Sequence, residues 1–176
     1  MKALRSLKSN NKGVSMVELI VIILILGILS SMLVVNLASV NGRNAADAAK
    51  KLSLLLDEVR LESMNRESGK LFVRVSVDST SREVKATVMY DNGASSEPTE
   101  GDVTVLGNSG LSVTFVGKDA ADTVTLSAGN SIDLKFSKST GGFTGSPEYD
   151  SVEFNGMRQA TLVLVWLTGR SYVAND

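Results

Sequence analysis

The sequence predicts an α+β protein: a long N-terminal helix whose first half is of membrane-spanning length, packed on a C-terminal antiparallel β-sheet domain. Three observations carry this. An apolar run from Leu19 to Val35 contains no charge. A helical repeat of apolar residues follows it through Val59. From Leu71 onward the apolar period changes to two, with Gly-rich or polar turns between short segments.

Lys2, Arg5, Lys8 and Lys12 precede the apolar run with no acid among them, and Gly13 ends this basic leader. A helix of about 20 apolar residues crosses a hydrocarbon core of about 30 Å. By the positive-inside rule the start stays cytoplasmic and the remainder is exported. Glu18 stands just before the run, where an acid costs about 2.5–3.5 kcal/mol on insertion scales and calls for a partner. Gly27 and Ser31 are spaced for close helix approach, or are simply small residues the run permits. Three other readings of the stretch compete. A secretory signal peptide has a shorter apolar centre and a small-residue cleavage site, which Leu29-Ser30-Ser31 does not resemble. A plain single-span anchor fits the length but leaves Gly13 and Glu18 together without a reason. A buried core helix would not be so long and uniformly apolar.

A more polar, turn-tolerant stretch, 36–44, contains Asn41-Gly42, a weak point in a helix. Beyond it Ala45, Ala49, Leu52, Leu56 and Val59 form a core-facing stripe, with Asp47, Lys50, Asp57, Arg60 and Glu62 largely off it. One helix is therefore expected from Ser15 to Glu67, with Gly69 as its C-cap. Leu71–Val77 and Val84–Tyr90 alternate around a turn at Asp78-Ser79-Thr80-Ser81 and form a hairpin. A polar loop is expected over 91–102. Short strands are expected at Val103–Leu106, Leu111–Val116, Thr123–Leu126, Ser131–Phe136 and Ser151–Phe154, with a loop over Ser139–Gly145. Ala160–Leu167 is the most apolar strand and is expected to be central, with Trp166 in the core. Thr168-Gly169-Arg170 then turns into a last strand, Ser171–Val173.

The 176 residues carry 18 basic and 19 acidic side chains, a net −1. Without the four basic side chains of the leader the balance is 14 to 19, a net −5, which argues against a broad electrostatic grip on nucleic acid. There is no Cys and no His, so thiol, imidazole-base and zinc-thiolate chemistry are excluded. No nucleophile–base motif remains, and no catalytic residue, cofactor or metal is expected. Asp91-Asn92-Gly93 lacks the ligand spacing and terminal Glu of a calcium loop.

Gly13, Val14-Ser15-Met16-Val17-Glu18-Leu19 and the apolar run resemble the class III signal peptide of type IV pilins and type II secretion pseudopilins. The resemblance implies a pilin-like fold, cleavage after Gly13 by a prepilin peptidase, and methylation of the new amino terminus at Val14. Glu18 falls on the family's fifth mature position, where the carboxylate pairs with the amino terminus of a neighbouring subunit. The implied organisation is a leader (1–13), a transmembrane and assembly half of the helix (14–40), an amphipathic half (41–68) and a β-rich domain (69–176). The implied partners are other pilin or pseudopilin subunits, the peptidase, and an assembly platform with its ATPase. The implied location is the cytoplasmic membrane and then an extracellular or periplasmic filament. Val14 replaces the usual Phe. The proline that many major pilins carry within the apolar half is missing, since the prolines are Pro98 and Pro147; minor pseudopilins often lack it too.

Glu58-Val59-Arg60, Ile132–Phe136 with Gly141-Gly142, and Val165–Arg170 closing on Thr168-Gly169-Arg170 look like elements of H-type minor pseudopilins and FimT-like minor pilins. Turn chemistry alone explains the last of these equally well. Two alternatives stay open. One is a DNA-binding competence minor pilin using Arg158 and Arg170 with Lys118, Lys135 and Lys138; the absence of a strong basic run makes nucleic acid an unexpected partner. The other is a single-pass anchor for an adhesive or sensory β domain.

Overall fold

A computed structural model describes the backbone of residues 16–66, 70–91, 93, 97–156 and 158–174, and their side chains apart from 28–43 and 120. The chain is α+β. Helix α1 (Met16–Asn65) is followed by strands β1 (Lys70–Val77), β2 (Val84–Asp91), β3 (Thr99–Gly107) and β4 (Ser112–Gly117). A 3-10 turn (Ala120–Asp122) then leads to β5 (Val124–Thr125), β6 (Ser131–Phe136), β7 (Phe143–Thr144), β8 (Tyr149–Asn155), β9 (Gln159–Val165) and β10 (Arg170–Val173). Two compact units divide it, residues 1–37 and 38–176.

In the first unit the large apolar side chains from Met16 to Leu26 are 48–84 % exposed, on every face of α1. The rest of the expected spanning run, 28–35, falls on residues whose side chains lie outside the described set. Among the described residues no helix is long and apolar enough to cross a membrane.

In the second unit the expected stripe is buried in full. Ala45, Ala49, Leu52, Leu56 and Val59 are at most 2 % exposed, and Ala48 and Leu55 join them. Alanines begin the buried stripe and leucines continue it. The helix ends at Asn65, and the expected cap, Gly69, lies outside the described residues.

The β region is two sheets. The first has the order β3-β2-β1-β6-β7 and the second β10-β9-β8-β4-β5, and every described pairing is antiparallel. The chain enters the first sheet, leaves for the second at β4, returns at β6 and leaves again at β8. Neither sheet is therefore contiguous in sequence. Leu71, Val73 and Val75 of β1 and Val84 and Ala86 of β2 share one core with Phe115, Val152, Phe154 and Leu162 of the second sheet and with the α1 stripe.

Four expectations are corrected. The polar loop after β2 is shorter than 91–102, because β2 extends to Asp91 and β3 begins at Thr99, where Thr99 and Glu100 pair with Tyr90 and Met89. The Ser139–Gly145 loop contains β7, which pairs with the end of β6. Strand β9 is not central: β8 is, with β9 next to the edge strand β10. Trp166 and Leu167 lie past the end of β9. Trp166 is half-buried, packing on Phe143 at 5.4 Å between ring centroids, and Leu167 is 86 % exposed.

Helix α1 is tied to one edge of each sheet. Lys51 and Ser53 flank the buried Leu52, about 100° to either side of it on the helix. Lys51 Nζ donates to the carbonyl of Val105 in β3 at 3.1 Å. Ser53 Oγ lies 3.3 Å from the carbonyl of Ser171 in β10 and 3.1 Å from its hydroxyl. Both strands are sheet edges, so the helix occupies carbonyls that would otherwise be open to another strand.

The β1–β2 turn is organised by Asp78. Its Oδ1 accepts the amides of Thr80 at 2.9 Å and Ser81 at 2.8 Å, and its Oδ2 takes the Lys85 ammonium at 3.0 Å. The Ser81 amide, then Lys85 and the Thr80 amide, hold the Asp78 carboxyl far below the ordinary carboxylate range. A group with a depressed folded-state pKa contributes stability that is complete above its unfolded value, about 4, and is lost as pH falls toward the folded value. The difference in melting temperature between the wild type and Asp78→Asn is therefore expected to be constant above about pH 5 and to shrink below about pH 4. Thermal melts of both proteins from pH 7 to pH 2 check this; a difference that widens on acidification would contradict it.

Candidate functional site

The N-terminal signal and a cluster in the β domain are the two places where the expected functional residues fall. Gly13 and Val14 lie outside the described residues. Glu18 is described: it stands in the first turn of α1 and is exposed. A carboxylate there meets the positive end of the helix dipole. Around it the described side chains of Met16, Val17, Leu19 and Ile20 are apolar and 52–84 % exposed.

The second cluster joins elements that are far apart in sequence. Arg60, on α1, donates from Nε to the carbonyl of Gly141 at 3.2 Å. Gly141 is buried at φ 69° and Gly169 is buried at φ 64°. A side chain on Gly169 would collide with the Gly141 carbonyl oxygen, and one on Gly142 would come within 2.6 Å of the Leu167 carbonyl oxygen. Backbone bonds close the knot: Phe143 N donates to the Trp166 carbonyl at 2.9 Å, Ser137 N to Gly142 at 2.7 Å and Gly169 N to Val165 at 2.9 Å. Arg60, Gly141-Gly142 and Gly169 thus meet where α1, the β6–β7 loop and the β9–β10 turn touch. The arrangement is a backbone clasp between the helix and both sheets. Only glycine takes positive φ without strain and also lets two backbones approach this closely.

The five basic residues considered for nucleic acid are dispersed over separate features. Lys135 and Lys138 line a cavity beside β1. Arg170 lines a groove with Asp57, Arg60 and Leu61. Lys118 follows β4, where its amide donates to the Glu148 carbonyl, and exposed Arg158 lies between β8 and β9. Sequence reasoning also missed residues that matter to the domain. Arg74 and Asp133 face each other across β1 and β6 in a two-bonded pair at 2.7 and 3.0 Å. Lys51 and Ser53 anchor the helix, and the only available signal was their position on either side of a core leucine.

Residues 8–34 match the family model of the prokaryotic N-terminal methylation motif. No curated protein and no solved structure matches the chain. The matched segment contains Gly13, Val14 and Glu18 and ends within the apolar run, so the chain carries the class III signal of type IV pilin-like, prepilin-processed proteins.

Proposed function

We propose that the protein is a non-enzymatic structural subunit, of the minor kind, in a type IV pilus or type II secretion pseudopilus. The observation that carries the reading is the methylation motif over 8–34 with Glu18 in the first turn of α1. Residues 14–40 hold the subunit in the cytoplasmic membrane before assembly. The large apolar side chains exposed on every face of α1 from Met16 to Leu26 support this, because a helix segment that is apolar all round needs a nonaqueous surrounding. Prepilin peptidase cleaves after Gly13, the Val14 amine is methylated, and Glu18 pairs with the amine of an adjacent pilin or pseudopilin. Helices then bundle and the β domain remains on the filament surface. Moving an apolar helix out of the bilayer is uphill, which assigns an assembly platform and its ATPase as further partners. The clasp of Arg60, Gly141 and Gly169 supports the finer likeness to H-type, FimT-like subunits, since the three segments that carry that likeness converge in space.

The test is the mature N-terminus, measured by mass spectrometry on protein from its native host. A chain starting at Val14 with one added methyl group is expected. An intact Met1, or cleavage after Ser31, would replace this reading with a plain anchor or an ordinary secreted domain.

A further inference from the structure

Strand β6 has β1 along one edge, but on its other edge β7 reaches only the end, pairing with Lys135 and Phe136. The bonds at the two ends of β6 fix which way its backbone groups point. Val77 N donates to the Asn130 carbonyl on the β1 side, and Ser137 N donates to the Gly142 carbonyl on the β7 side. Bonded sides alternate along a strand, so 130, 132 and 134 face β1 while 131, 133, 135 and 137 face β7. Lys135 is opposite Thr144. The N–H and C=O of Ser131 and Asp133 therefore face outward past the end of β7, and among the described residues no backbone bond reaches them. The chain after Thr144 does not fill the place, because it leaves for β8 in the second sheet. Edge strands β3 and β10, by contrast, each have a carbonyl taken by α1. A groove of about 330 Å³ lies at the open edge, its lining including Ser131, Ile132, Asp133, Ser146, Pro147 and Trp166. Ile132, Pro147 and Trp166 are half-buried, and the Asp133 carboxylate already holds Arg74.

We propose that the open edge of β6 takes an extended segment of a partner protein as an added strand, with an apolar residue between two polar ones. Each of two alternate residues offers a donor and an acceptor on the same side, about 7 Å apart at about 3.4 Å per residue. Another extended backbone repeats its own donors and acceptors at that spacing, which is how a strand adds to a sheet edge. The pattern of the segment follows from the two faces. Partner residues opposite Ser131 and Asp133 lie on the face where Asp133 holds Arg74, which is charged, so they are polar. The partner residue opposite Ile132 lies on the core side, where Ile132 packs against the core and Trp166 and Pro147 line the groove, so it is apolar and β-branched. Backbone bonds supply the affinity and the central side chain the selectivity. The site stands apart from the N-terminal signal and does not depend on the filament reading.

The test uses the full-length chain in a nonionic detergent and reads the fluorescence of Trp166, the single tryptophan of the chain. The probe is the end-blocked peptide Ser-Thr-Val-Thr-Ser. Its binding is expected to be saturable and to shift the emission to shorter wavelength, as the added chain takes the ring from water. The same peptide N-methylated at both threonines loses the amides that face β6 and is expected to bind about tenfold more weakly. N-methylation at the valine, whose amide faces away, is expected to leave binding unchanged. Ser131→Pro removes one outward N–H without touching the β1 pairing and is expected to lower affinity about fivefold, while Ser131→Ala binds like the wild type. Urea unfolding checks that both variants fold; if Ser131→Pro does not, the methylated peptides decide alone. No saturable change at Trp166, equal binding of the threonine-methylated peptide, an equal loss on methylating the valine, or a folded Ser131→Pro that binds like the wild type would each overturn the proposal. A dimer in sedimentation that Ser131→Pro abolishes would give the edge to a second copy and overturn the assigned partner.

Discussion

Gly169→Ala is expected to destabilise the β domain by about 3 kcal/mol, while Gly129→Ala costs about 1–2 kcal/mol. The two glycines have similar backbones, φ 64° and φ 84°, so the strain of placing an L residue in the left-handed region is common to both. They differ in space. Nothing lies within 4 Å of a side-chain atom built on Gly129, whereas one on Gly169 runs into the Gly141 carbonyl oxygen and comes within 3.2 Å of Cδ of Arg60. That carbonyl cannot move alone, because it accepts from Arg60 Nε and its residue is bonded back to Ser137. Relief would push the β9–β10 turn away from the β6–β7 loop and break the bond from Phe143 N to Trp166. The excess cost at Gly169 thus measures the clasp itself. Urea unfolding of both variants gives the comparison; equal losses would mean that the close approach contributes nothing.

The same cluster shows which parts of the fold were open to sequence reasoning. Strands with one buried face announce themselves: Leu71, Val73 and Val75 alternate with half-buried or outward residues, and Ser131–Phe136 has the bounds its alternation suggested. The α1 stripe was equally plain, because the spacing of Ala45 to Val59 is local. Partition into two sheets was not legible. It depends on β1 choosing β6 across more than fifty residues, and no local pattern encodes that choice. Strand β7 was hidden because it has two residues and sits among glycines that read as a loop. The apolar run 160–167 misled in a different way. Ala160, Leu162 and Leu164 are buried, but Val165 and Leu167 are apolar and exposed, so hydrophobicity overstated how central the strand is. In the candidate sites the contrast is the same. The N-terminal signal is a linear segment and is complete in the sequence, whereas Arg60 meets Gly141 across 81 residues, and neither residue alone signals a contact. Phe72 is the subtler case: it stands outside the shared core cluster yet is only 3 % exposed, with the Lys135 ammonium 5.3 Å and the Arg74 guanidinium carbon 5.7 Å from its ring centre.

Glu18→Leu is expected to leave cleavage after Gly13 intact and to lower incorporation into filaments more than tenfold, with the amount of subunit in the membrane unchanged. Under the proposed function the peptidase reads the leader, while Glu18 acts later, in choosing the neighbour. An unpaired carboxylate in an apolar surrounding costs about 2.5–3.5 kcal/mol, and the described side chains around Glu18 are apolar and exposed. Docking against a neighbour whose free amine lies at the same depth removes that cost, and docking at any other depth does not. The carboxylate therefore sets the register rather than the general affinity of helix for helix. Leucine would remove the penalty and the register together, so the variant should sit in the bilayer more comfortably and assemble less. Glu18→Gln separates the two effects: it keeps the shape and one acceptor oxygen but has no charge to offer the amine, and incorporation is expected to fall between wild type and Glu18→Leu. Immunoblots of sheared filaments and of membranes from the same cells give both quantities. If Glu18→Leu assembled at wild-type levels, the acid would be only an interfacial charge, and register would have to come from the amphipathic half of α1 and the β domain.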